Sequence, residues 1–174
     1  MSEQQTPKME LMQELGFTLD DLGQNRSGQI SEMQDYKLRV RRQRSIFTGI
    51  AIMFCMAFII TLLFFMGNRE GNSAILSIIG IGLTICNAAM MGVFARHWLR
   101  LSTDIREQKV LIISGKLERI IKPVNRRVIY YLIRVEGVEL VVSKQLFNLV
   151  ANDKSYTLYR APHTGTLLSM ERVE

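Results

Sequence analysis

The sequence predicts an α+β membrane protein with three parts. These are an N-terminal helix-turn-helix, a two-helix transmembrane hairpin and a C-terminal five-stranded β-barrel, OB-like or, alternatively, SH3-like. Three observations predict it. Two charge-free apolar runs, 46–66 and 73–95, each have the ~20 residues that cross a bilayer core as a helix. Basic residues flank the pair on both outer sides. After residue 107 the long apolar runs give way to short alternating segments divided by turn residues. The 174 residues therefore divide into an N-terminal segment 1–45, a hairpin 46–95, a juxtamembrane connector 96–107 and a β domain 108–174.

In the first segment, "MELMQELGFTLDDL" has the spacing of an amphipathic helix with Leu11, Leu15 and Leu22 as buried points. The stretch that follows, "GQNRSGQISEMQ", has the rhythm of an EF-hand loop with Gly28 as the turn glycine. In that register Asn25 and Ser27 supply neutral oxygens, the twelfth position is Gln34, and Glu32 falls at a position that does not normally ligate. With no carboxylate at a ligand position the loop argues against calcium, because affinity follows ligand charge. The expected role is architectural: Gly28 permits a tight turn, and Ser31 with Gln34 forms an S-x-x-Q capping box. The next helix, "EMQDYKLRVRRQR", runs on into the first span.

Inside a bilayer only helices and closed barrels satisfy the backbone, so both apolar runs are expected to be membrane helices. The first begins 45 residues in, behind a polar, charged segment and ahead of no cleavage-site pattern. It reads as an anchor and not as a removable leader. Lys37, Arg39, Arg41, Arg42 and Arg44 precede the first span, and Arg96, His97 and Arg100 follow the second. The connector "GNREGN" carries one Arg and one Glu. The positive-inside rule then places both termini in the cytoplasm, with a short external turn, and a plasma membrane is the default location. Trp98 stands where an interfacial aromatic anchor belongs. The net charge of +6 comes largely from the first basic flank, which would also attract anionic lipid.

Gly80, Thr84, Ala88 and Gly92 recur every four residues in the second span and predict a helix-packing stripe, facing either the first span or another protein. Ser73 and Ser77 extend it. Asn87 is the one amide in either span and reads as interhelical glue. Cys55 and Cys86 lie near mid-span and act as small apolar residues. With no cysteine elsewhere, there is neither a disulfide framework nor a zinc site.

In the β domain, "KVLIISGKLERIIKP" reads as one long or bent strand, broken near Gly115. "RRVIYYLIRVEG" alternates, with Ile129, Tyr131, Ile133 and Val135 inward. "GVELVVS" places Val138, Leu140 and Val142 inward. "KQLFNLVAND" is a short helix with Leu146, Phe147 and Val150 clustered. "SYTLYRAP" and "GTLLSMERV" make a closing hairpin about "PHTG". Five strands with a helix between the third and fourth follow the OB order, and closure would remove sheet edges. Val128, Tyr130 and Leu132 then face outward beside Arg134, as a candidate interaction surface. A single-strand groove built from Arg126, Arg127, Arg134, Tyr130 and Tyr159 is the weaker alternative, because Glu118, Glu136 and Glu139 are interspersed.

No catalytic motif is found. His97 and His163 are separated from each other and from metal-ligand spacing, and no nucleophile elbow or phosphate-cradling loop occurs. The residues call for no cofactor and argue against an enzyme. The leading function class is a non-catalytic membrane protein that presents its β domain for protein interaction or complex assembly. The alternatives are a small oligomeric channel or transport subunit and a sensor of anionic lipid or ligand. Two helices enclose no path alone, and neither span carries a charge, which counts against transport.

Overall fold

The computed structural model describes residues 5–69, 73–125 and 128–173. The element order is α1 (Gln5–Leu15), α2 (Leu19–Arg26), α3 (Glu32–Arg69), α4 (Ser73–Glu107), β1 (Leu111–Asn125), β2 (Val128–Val135), β3 (Val138–Val142), α5 (Lys144–Leu149), β4 (Ser155–Arg160) and β5 (Leu167–Arg172). The described residues form two compact units, one from Met1–Asp35 with Glu107–Glu174, the other Tyr36–Arg106.

In the first unit, the expected single N-terminal helix is two. Gly16 takes φ 65°, and the Phe17 N–H returns to the Met12 carbonyl at 3.1 Å, which closes α1 as a helix ending in a left-handed residue does. Thr18 then caps α2 in a reciprocal box with Asp21. Gly28 turns the chain at φ 82°. The Ser31–Gln34 capping box forms as the spacing predicts: the Ser31 hydroxyl accepts from the Gln34 N–H at 3.2 Å, and Gln34 Oε1 accepts from the Ser31 N–H at 3.3 Å. α3 is continuous from this cap through the first apolar run.

The sheet is antiparallel in the order β3-β2-β1-β4-β5. The expected barrel does not close: β3 and β5 are the two edges of an open sheet. β1 is also unbroken at Gly115, where it changes partner instead. Leu111–Lys116 pairs with β4 and Leu117–Asn125 with β2. A Cβ at Gly115 would lie 2.5 Å from Glu136 Oε1, so the glycine admits the β2–β3 turn close to the strand. Helices cover the core face that strand closure would have sealed. Leu11 of α1 and Leu146, Phe147 and Val150 around α5 join Leu117, Ile133, Val135, Tyr156, Leu158 and Met170 in one buried cluster. Burying those side chains contributes about 1.5–3 kcal/mol each, as an upper estimate. The predicted inward set on β2 holds at Ile133 and Val135, but Ile129 is 50 % exposed.

The second unit holds the two long apolar helices. Both are long and apolar enough to cross a membrane, and only 11 % and 6 % of their most apolar windows are buried. They pack along one seam. The less exposed positions include Arg42, Ser45, Ile46, Gly49, Met53, Met56, Ile60, Leu63 and Gly67 on α3 and Gly80, Leu83, Asn87, Met90, Phe94, His97 and Leu101 on α4. Steps of three and four residues average the 3.5-residue period of a coiled coil. Two aromatic rings seat on glycines at opposite ends of the seam. A Cβ on Gly80 would lie 2.9 Å from the Phe64 ring, and one on Gly49 would lie 3.4 Å from the Phe94 ring. Of the predicted external turn at 67–72, residues 67–69 continue α3 and residues 70–72 lie outside the described residues.

Candidate functional site

The EF-like stretch is bound into the β domain by polar side chains. The Asn25 amide donates to Ser169 Oγ at 2.6 Å, both residues being fully buried. Arg26 Nε donates to Glu171 Oε1 at 3.0 Å, its Nη2 donates to Oε2, and the Tyr159 hydroxyl donates to Oε1 at 2.6 Å. Gln34 Nε2 reaches the Leu168 carbonyl at 3.3 Å, and the Ser31 hydroxyl donates to Asp21. Backbone bonds from Ile30 to Gln108 and from Val110 to Gly28 complete the attachment. Of the two residues expected at calcium-ligand positions, Asn25 holds β5 through its amide N–H while its Oδ1 is buried without a partner among the described residues, and the Ser27 hydroxyl donates to the Gln24 carbonyl. Among the described residues no cluster of three or more potential metal ligands occurs.

The electrostatics of this clasp follow from its geometry. Glu171 holds the Arg26 guanidinium well above its ordinary value, mainly through the hydrogen bond. Burial, aided by the hydrogen bond to Glu171, pushes the Tyr159 phenol up to about 12. Tyr159, predicted as a stacking platform, is a 4 % exposed core residue and offers no face to a base. His163 Nε2 lies 3.2 Å from Glu107 Oε2.

The predicted outward face of β2 is only partly apolar surface. Tyr130 is 47 % exposed, but Leu132 is 6 % exposed and is no surface residue. The register gives the reason. Leu132 stands between Ile120 on β1 and Val141 on β3, while Lys122 lies one step to one side and Glu139 one step to the other. The Lys122–Glu139 ion pair, at 3.1 Å, therefore crosses above Leu132. Arg134 closes the ladder to Glu139 at 2.5 Å and to Glu118 at 3.3 Å. The hydrogen bonds from Arg134 and then Lys122 hold the Glu139 carboxyl below its usual range, and Glu139 in turn raises Arg134. Exposed pairs of this kind add little stability individually; here their side chains shield an apolar residue. The Val128 side chain, Arg126 and Arg127 lie outside the described residues.

In the hairpin the small-residue stripe divides. Gly80 meets Phe64, but Thr84, Ala88 and Gly92 are exposed. A four-residue step advances a helix by 400°, so such a stripe drifts about 40° per step and leaves the seam within two steps. Asn87 stays on the seam, with its Oδ1 buried and unpaired among the described residues. Of the basic flank, Lys37, Arg39, Arg41 and Arg44 are exposed, and Arg42 is half-buried on the seam. Trp98 is 41 % exposed. It lines a groove of about 170 Å³ with Ile46, Gly49, Met53, Met91 and Phe94. Neither the groove nor the clasp was anticipated. A heptad reading of both spans locates the seam and with it the groove; the clasp has no local signal, since Asn25 and Ser169 are 144 residues apart.

Comparison of the chain with known protein families and with curated proteins finds no match.

Proposed function

We propose that this chain is a non-catalytic integral membrane protein whose α3–α4 hairpin crosses the plasma membrane with both termini cytoplasmic. On this reading the β domain is presented at the cytoplasmic face for protein interaction or complex assembly. One observation carries the membrane reading: the apolar surface of both helices is turned outward. Phe47, Phe54, Phe58, Ile78, Ile85 and Val93 are each more than half exposed. A soluble core helix buries such residues, whereas a bilayer covers them. The interaction reading is supported by the exposed apolar residues at one region of the sheet, Tyr130 and Val141 at 47 % and 66 %, beside the unpaired edge of β3. A non-catalytic role is supported by the engagement of several titratable groups with one another, in the Arg26–Glu171–Tyr159 and Lys122–Glu139–Arg134–Glu118 arrays.

Intact-mass measurement of the tagged protein, purified in mild detergent from native-level expression, tests the interaction reading. A defined hetero-complex that dissociates in Tyr130→Ala is the expected result. A pure homo-oligomer of fixed size, unchanged by Tyr130→Ala, would remove it.

A further inference from the structure

The geometry points to a binding site for one anionic phospholipid on the hairpin, an acyl chain in the Trp98 groove and the phosphate at Arg42 and Arg106. This rests on the membrane reading above and gives that reading a specific ligand.

The groove opens on one side of the α3–α4 seam and is lined almost wholly by carbon: Ile46, Gly49 and Met53 face Met91, Phe94 and Trp98. Its depth comes from Gly49, which lacks the side chain that would fill it, and from the Phe94 ring seated 3.4 Å from where a Cβ would stand. A volume of about 170 Å³ takes several methylenes and no folded segment. Each buried CH₂ contributes to retention as any apolar transfer does.

Charge marks one end. Arg42 lies three and four residues before the lining residues Ser45 and Ile46, so it stands on the same face of α3, one turn past the groove. Arg106 lies eight residues beyond Trp98, about 12 Å along α4 and about 80° round it, at the margin of the broad face that carries the groove. The other end runs into the uncharged span. Apolar along its length and cationic at one mouth, the groove complements a phospholipid with net negative charge. The indole of Trp98, between the two regions, has the placement of an interfacial aromatic ring. Arg44 and Arg96 carry the same charge but lie off this face, which separates site binding from general attraction to an anionic surface.

Trp98 is the chain's single tryptophan, so its fluorescence reports the groove directly. The full protein is reconstituted in vesicles of phosphatidylcholine containing increasing fractions of dibrominated phosphatidylglycerol or dibrominated phosphatidylcholine. The brominated anionic lipid is expected to quench Trp98 at roughly tenfold lower mole fraction than the zwitterionic one. Arg42→Gln/Arg106→Gln removes that preference, the charge-matched Arg44→Gln/Arg96→Gln keeps it, and Ala95→Phe, which narrows the groove, reduces quenching by both lipids. Equal quenching by the two lipids, or a preference lost equally in both double variants, overturns the site. Trp98 shielded from both lipids in a cross-linkable dimer overturns it in favour of a second copy. Carbonate extraction of the same membranes separates the two levels: a released protein fails the membrane reading, and a retained protein without lipid preference fails the site alone.

Discussion

At the scale of single residues, the clasp between the N-terminal segment and β5 shows how a few buried polar groups bind distant parts of the chain. Tyr159 gives it a pH signature. Its phenol is raised from 10.0 to about 12 in the folded chain, so over that range the folded state keeps a proton that the unfolded state loses. Its contribution is fully present below pH 10 and is lost as pH rises through 12. Denaturant melts of the full chain should show a loss of stability between pH 10 and 12 that Tyr159→Phe lacks. Ser31 serves two partners, the N-terminus of α3 and the Asp21 carboxylate. Ser31→Ala should cost about 1–2 kcal/mol of thermal stability; an unchanged melting temperature would show the cap to be dispensable. Asn25 and Ser27 look like ligands in sequence because oxygen-bearing side chains near a glycine are common to calcium loops and to helix turns. Their true partners, Ser169 and the Gln24 carbonyl, separate the two cases.

At the scale of elements, the hairpin's packing is legible in the sequence once the correct period is applied. A search for small residues at steps of four finds Gly80 and then leaves the interface; steps of three and four keep to it. The Gly80–Phe64 contact yields a rescue experiment. Gly80→Leu should destabilise the hairpin by about 1–3 kcal/mol in detergent unfolding, through a side chain that meets the Phe64 ring, and Phe64→Ala should restore most of the loss. Additive losses in the double variant would place the strain elsewhere. The β2–β3 turn offers a gain. Glu136 and Gly137 take φ 48° and 77°, the two positive values of a type I′ turn, and Glu is poorly suited to the first. Glu136→Asn should raise stability by about 0.5–1 kcal/mol in the same assay. Strand and helix positions were readable because alternation and helical spacing are local. That Leu132 is buried was not, because it depends on an ion pair between β1 and β3 crossing over β2.

At the scale of the whole molecule, the chain joins a compact α+β unit to an apolar hairpin whose faces are turned outward. The proposed orientation is checked by single-cysteine labelling in a Cys55→Ala/Cys86→Ala background. Cysteines placed at Ser2 and Val173 should react with an impermeant maleimide only after the membrane is opened, and labelling of either in intact cells would reverse the topology. Composition and periodicity by themselves determined the two long apolar helices, the caps and turn at Gly28 and Ser31, and the strand–strand–strand–helix–strand–strand order. All of these follow from preferences exerted within a few residues. Only the tertiary structure decided that the sheet stays open, that α1 and α5 cover its core face, and that the N-terminal turn is held by β5. Those outcomes depend on which apolar faces and polar side chains meet between segments distant in the chain. Strand order is compatible with a closed or an open sheet, and the choice falls to the packing of Leu11 and Phe147 against it.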